Sequence, residues 1–246
     1  VATEVGEMVL NYDNTPASVA LAGPGTLTGI AGELVGTPLA VQVLNSAGLP
    51  VYNQTEVVFS VSSGDGAFDG IAGDASSLTD PATGIAQVGF LAGVGLEDDI
   101  VMATAPALAS PMYVSFTVTG VIPDAADVYP SSLDQVATVG LVLQNPIAAS
   151  IVDSFGAFLE GVPVDFVPTG GSLTDYEATS DMDGTVATSW TMPDSDGFYG
   201  LDIVWDPTLP GAPSVVLATV SAEATVSACT NLVRVSPDET IVPAGT

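Results

Sequence analysis

Apolar and polar residues alternate along this chain in short runs, each closed by Gly, Pro, Asn, Asp or Ser. LAVQV at 39–43, VVFSV at 57–61, VSFTV at 114–118 and VDFV at 164–167 all carry apolar side chains at alternate positions. A period of two puts one side of each run in a core and the other in solvent, which is how a strand reads. No stretch sustains the 3.6-residue period of an amphipathic helix. With 18 Pro and 26 Gly as punctuation, the pattern predicts an all-β chain of antiparallel strands packed as sandwiches.

The pattern also repeats. SLTDPATGIAQVGFLAG at 77–93 has an echo in ATSDMDGTVATSWTMPD at 178–194, and LAVQVLNSAG at 39–48 in AASIVDSFG at 148–156. In the first pair, Asp80 and Asp181 are placed to accept hydrogen bonds from backbone N–H groups just downstream, and Gly84 and Gly184 to supply the positive φ of a tight turn. Strands are expected at Ile85–Phe90 and Thr185–Trp190. Matched positions lie one immunoglobulin-sized sandwich apart. VYPSSLDQVATVG at 128–140 matches VSPDETIVPAG at 235–245 and, more loosely, VALAGPGTLTGIAG at 19–32, as the opening strand of a repeat. The expected division is an N-terminal strand segment at 1–14, repeats at 15–122 and 123–230, and at 231–246 the opening strand of a further repeat or a donated strand. A Pro-containing hinge, GVIPDAA, spans 120–126.

An apolar strand, a D-x-x-G turn, an alternating Val/Thr strand and a closing V-x-F-T-V strand, in that order, resemble bacterial immunoglobulin-like repeats of the invasin/intimin type. That family's phrase TDANGQAxVxLT stands here as TDPATGIAQVGF and SDMDGTVATSW. The second repeat departs from it, with Trp190 and Trp205 in strands and an acidic PDSDGFYG loop. The resemblance implies tandem immunoglobulin-like antiparallel β-sandwiches that act as stacked spacers on cell-surface proteins, without catalysis.

Charge narrows the partners. The chain carries 29 Asp and Glu against one basic residue, Arg234, and no His, for a net −28. Nucleic acid is excluded, since phosphate binding needs Lys and Arg, and anionic membrane surfaces are disfavoured. No apolar run approaches a membrane span, so direct insertion is not expected. Apolar residues make up 47% and mean hydropathy is +0.50, enough for packed cores. The chain begins on Val1 without a basic, then apolar, leader; this reads as a leader already removed or a piece of a longer protein. Cys229 stands alone and forms no intrachain disulfide. An extracellular setting, on a cell surface or a secreted appendage, fits these features.

Cations are the natural counterpart of such a surface. The leading calcium candidate is the Gly-rich loop GDGAFDGIAGDASSLTD, an insertion of the first repeat, with Asp65, Asp69, Asp74 and Asp80. Glu97, Asp98 and Asp99 form a second acidic group. Asp181 and Asp183 resemble the start of a calcium loop without the rest of its spacing. Asp124 and Asp127 lie where an ion would stiffen the hinge. Trp190, Trp205, Phe198 and Tyr199 fall close enough for a sugar-stacking platform, although sandwich cores also demand a buried Trp. Asn53-Gln54-Thr55 is a glycosylation sequon. Without His or Lys, the Ser–His, Cys–His and Schiff-base mechanisms cannot be assembled. A carboxylate-pair glycosidase would need a cleft that turns this short do not build.

Three functions remain: a non-catalytic shaft of a surface protein, contacting neighbouring repeats; a filament subunit that binds copies of itself by terminal strand addition; and a module that recognises surface glycans.

Overall fold

The structure, a computed structural model, describes residues 12–71 and 73–226. The expectations on the donated strand at 231–246 and on Cys229 lie outside these residues, as do Arg234 and most of the N-terminal strand segment at 1–14. Two sandwiches follow one another. The first comprises β1 (Ser18–Leu21), β2 (Thr26–Ile30), β3 (Leu39–Leu44), β4 (Glu56–Ser63), β5 (Ala67–Phe68), β6 (Ala75–Leu78), β7 (Ile85–Val88), β8 (Phe90–Leu91), β9 (Asp99–Thr104) and β10 (Tyr113–Val121). The second repeats the set as β11 (Ala125–Val128), β12 (Gln135–Thr138), β13 (Ile147–Val152), β14 (Pro163–Pro168), β15 (Ser172–Leu173), β16 (Glu177–Thr179), β17 (Thr185–Thr188), β18 (Trp190–Thr191), β19 (Gly197–Trp205) and β20 (Val215–Thr225).

Each sandwich packs a three-stranded sheet on a five-stranded one. The orders are β1-β3-β7 against β2-β10-β9-β4-β6, and β11-β13-β17 against β12-β20-β19-β14-β16. This is the immunoglobulin-like arrangement. The segments read as single opening strands are each two strands in different sheets. In the first repeat β1 runs antiparallel to β3. The chain then crosses at Gly23-Pro24-Gly25, and β2 runs parallel to β10. The second repeat makes the same crossing through a 3-10 turn at Pro130–Ser132 and Asp134, whose φ is 52°, and β12 runs parallel to β20. Splitting the strand lets one short segment cover an edge of both sheets, which limits unpaired backbone.

A second correction concerns the strands expected at Ile85–Phe90 and Thr185–Trp190. They break at Gly89 and Ser189. β7 and β17 stay in the three-stranded sheets, while β8 and β18 pair with β5 and β15 in two-stranded ladders. The loop read as an insertion of the first repeat therefore has a shorter counterpart in the second, built around β15.

Alternation sorts the side chains as the pattern requires: Leu39, Val41 and Val43 of β3 are fully buried, with Ala40, Gln42 and Leu44 between them more open. Phe59, Phe68 and Phe90 form the aromatic centre of the first core, with ring centroids 6.5 and 5.4 Å apart in edge-on pairs. Phe166, Trp190 and Trp205 take that place in the second. Each such side chain contributes roughly 1.5–3 kcal/mol on burial. The second core does not stop at the repeat boundary. Ala31 belongs to it, and Ile30, Val94, Val121 and Ile122 of the first repeat and the linker pack against it.

Candidate functional site

The repeated turns come first; they carry the candidates Asp80, Asp181 and Asp183. The Asp80 carboxylate accepts from the N–H groups of Ala82 and Thr83, both at 2.9 Å, and from the Thr83 hydroxyl at 3.1 Å. Asp181 accepts from the N–H groups of Asp183 and Thr185, both at 2.9 Å. Gly84 and Gly184 close these turns at φ 69° and 72°. Asn45 and Asp153 do the same work in the other matched pair of turns, accepting from Ala47 and Leu49 and from Phe155 and Ala157. Bonds to the charged form, first those from Ala82 and Thr83, hold the Asp80 carboxyl below its ordinary value. The echoed phrase is thus a turn clamp, used at four places.

Asp99 is a different kind of carboxylate. It is 1% exposed and accepts from the N–H groups of Gly66 and Gly93, both at 2.7 Å. Asp65 stands beside it and accepts from Gly95 N–H at 3.1 Å. A Cβ on Gly93 would strike the Asp65 carboxylate and lie 2.8 Å from that of Asp99, so only Gly fits between the two. This pair ties the β4–β5 turn to the loop before β9. Asp98 accepts from the Thr119 hydroxyl at 2.7 Å. Asp69, Asp74, Glu97 and Asp183 are exposed, and no side-chain hydrogen bond is seen for them among the described residues. The loop carboxylates Asp65, Asp69, Asp74 and Asp80 do not converge. Among the described residues no three acidic, His or Cys side chains come together as a metal-binding group.

What the structure does bring together is the junction. Only Ile122, Pro123 and Asp124 separate β10 from β11, and Asp124 N–H is already bonded to Val152 O at 2.9 Å. On one side, the loop after β19 reaches back to the first sandwich. Thr208 N–H donates to Glu33 Oε1 at 3.1 Å, and the Thr208 hydroxyl lies 2.9 Å from Gly32 O and 3.2 Å from Glu33 Oε2. Gly32 has φ 75°, and a Cβ there would collide with Pro207. On another side, a groove of about 380 Å³ is lined by Leu96, Glu97, Asp98, Val121, Asp124 and Phe155, among others.

Burial raises the Glu33 carboxyl above the ordinary glutamate value, the bonds from Thr208 oppose this, and nearby Asp206 adds a small further rise. A raised native value means that the folded state binds the proton more tightly than the unfolded one. Its stabilising contribution is complete below the unfolded value and is lost as pH rises through the native one. Glu33→Gln keeps an acceptor for Thr208 and removes the charge. In thermal melts the variant is expected to be more stable than the parent at neutral pH, with the difference disappearing on acidification below the ordinary glutamate value.

The aromatic platform loses its two indoles. Trp190 is fully buried and donates to Gly170 O at 2.9 Å, and Trp205 is 3% exposed, so neither can stack on a sugar. Phe198 alone of the four stands well out in solvent, while Tyr199 packs partly against the core. The sequon's Asn53 is exposed and Thr55 is buried.

No protein-family model and no curated protein matches the chain. It is similar to solved structures of the Yersinia pseudotuberculosis adhesin InvE, with 14% identity and a TM-score of 0.40, over 88% of this chain and 62% of that one. It is similar to the D0-D1 domain of intimin, with 13% identity and a TM-score of 0.30, over 85% of this chain and 97% of that one. It is also similar to invasin, a bacterial integrin-binding protein, with 18% identity and a TM-score of 0.32, over 85% of this chain and 39% of that one. The chain thus spans less than two thirds of the InvE and invasin chains. With identity this low and superpositions this loose, the functional reading rests on the chain's own geometry.

The Glu33–Thr208 contact and the Gly32–Pro207 approach do not follow from sequence reasoning. The partners are 175 residues apart. One signal was present: Gly32 and Gly140 end the two matched opening segments, and both take positive φ.

Proposed function

We propose that the chain is a non-catalytic, load-bearing module of an extracellular surface or appendage protein, in which two sandwiches are held as one stiff unit. The observation that carries this is the sealed junction. The linker is too short to act as a flexible tether, Ile122 packs against the second core, and Thr208 is fastened to Gly32 and Glu33. Tandem sandwiches joined by nearest-neighbour contacts behave as a rod. A net charge of −28 keeps such rods apart and soluble. Among the described residues no helix is long and apolar enough to cross a membrane. Electron microscopy of single particles tests the reading: two beads at one fixed angle are expected, and a broad spread of angles counts against it.

The finer part of the proposal is that divalent cations gather as a diffuse layer over the acidic groove at the junction, lined by Glu97, Asp98, Asp124 and Asp153, and stiffen it without a converging ligand set. Millimolar calcium is then expected to raise the melting temperature relative to chelator, by more than an equal ionic strength of sodium chloride. Identical melts in calcium and chelator would remove the ion from the account.

A further inference from the structure

The groove at the junction is lined by apolar side chains that neither sandwich uses. Leu96 is 97% exposed and Phe155 93%, the two most exposed large apolar side chains among the described residues, and both line it. Leu96 comes from the loop between β8 and β9 of the first sandwich, Phe155 from the turn after β13 of the second. Val121 and Ile122 add to the apolar lining. The matching places in the other repeat show that folding does not require these two residues. Asn45-Ser46-Ala47-Gly48 makes the same turn as Asp153-Ser154-Phe155-Gly156, with Ala47 where Phe155 stands. The counterpart of the Leu96 loop, Pro193-Asp194-Ser195-Asp196 between β18 and β19, has only Pro193 as an apolar residue.

Both lips of the groove are already fixed. Phe155 N–H donates to Asp153 Oδ1 at 2.9 Å, Gly95 N–H to Asp65 Oδ1 at 3.1 Å, and the Thr119 hydroxyl to Asp98. Little ordering of the protein is left for a partner to drive. The described chain also leaves the two sandwiches away from the groove. Tyr12 packs on Tyr52 at the opposite end of the first, and β20 runs from Val215, opposite Trp205, to Thr225 at the opposite end of the second.

Charge selects the occupant. Glu97, Asp98, Asp124 and Asp153 line the same groove, and none of the described residues is Lys, Arg or His. The whole chain holds one basic residue, so a second copy brings repulsion to this surface and no matching charge. A partner of opposite charge is steered towards it and can seat apolar side chains there. At about 380 Å³ the groove falls within the roughly 300–1,000 Å³ of ligand sites. Resting on the reading of the joint as fixed, because both sandwiches line the groove, we infer that it docks a basic segment of another protein. That segment carries Lys or Arg around one or two large apolar side chains, which pack against Leu96 and Phe155 while the charges meet Glu97 and Asp124.

Fluorescence anisotropy with the full chain and a labelled synthetic peptide, two leucines flanked by lysines, tests the inference. Near-physiological ionic strength screens the long-range attraction that any cation feels. Saturable binding is expected, about tenfold tighter than for a control peptide with serines in place of the leucines, as for an apolar anchor at an interface. Leu96→Ser and Phe155→Ser leave the net charge and the melting curve unchanged, and each is expected to weaken binding about tenfold. Glu97→Gln with Asp124→Asn is expected to weaken it several-fold more than Asp74→Asn with Asp196→Asn, which removes the same charge from exposed positions elsewhere. Equal binding of the two peptides, or binding that both serine variants retain in full, overturns the inference, as does a parent that fails to bind at millimolar peptide. Each of those results leaves the fixed two-bead angle standing, since microscopy measures it without peptide. A broad spread of angles fails the joint whatever the peptide does.

Discussion

Trp190→Ala is expected to destabilise the second sandwich by about 3–5 kcal/mol, the cost of truncating a large buried aromatic side chain. The indole is fully buried and sits on β18, held between the β15 ladder and the core, with its N–H on Gly170 O. Truncation removes that packing and also leaves the Gly170 carbonyl without its partner. Trp190→Phe is expected to cost much less, because the first sandwich carries Phe90 at the same place after β7. Trp205 is the second of the chain's two Trp residues and lies in the same core. Its fluorescence therefore follows the unfolding of the second sandwich in either variant. A urea midpoint for Trp190→Ala within error of the parent would mean that the core is not organised around this side chain.

Asp99→Ala is expected to destabilise the first sandwich by about 2–4 kcal/mol, on the scale of one to a few for each polar group left unpaired in a buried setting. Both N–H groups at risk, from Gly66 and Gly93, point at a carboxylate that water barely reaches. Asp99→Asn retains one acceptor oxygen and should fall between the parent and Asp99→Ala. The order parent, Asn, Ala in denaturant midpoints, measured in chelator, identifies Asp99 as a clamp between two loops. If the order appears only in calcium and all three proteins unfold alike in chelator, Asp99 acts through the ion.

These two residues also mark how far the sequence could be read. The turn clamps were legible because they are local: Asp80 and Asp181 bond to N–H groups within four residues, and the Gly that ends each turn is part of the same phrase. Alternation exposed the strands and their inward side chains for the same reason. The break at Gly89 and Ser189 was not legible. It is decided by β5 and β15, which capture the end of each strand from a distance and turn Phe90 and Trp190 into separate ladders. Asp99 looked like one of three adjacent surface carboxylates. Its burial depends on Gly66 and Gly93 folding over it, and Glu97 and Asp98 beside it remain in solvent. The junction was beyond reach because its contacts join the first and second repeats across most of the chain, and nothing local distinguishes Thr208 from any other loop Thr. Gly32 and Gly140 were visible as matched residues, but only the approach of Pro207 shows what the absent side chain is for.

Stiffness at the junction is the central claim, and a distance distribution measures it directly. Spin labels at cysteines replacing exposed Ser46 and Asp196, one in each sandwich, with Cys229 changed to Ser, report the separation by double electron–electron resonance. A single narrow distance is predicted, unchanged by dilution. It should broaden when Gly32→Val forces Pro207 away. A broad distribution in the parent protein, as wide as that of the Gly32→Val variant, would contradict the account.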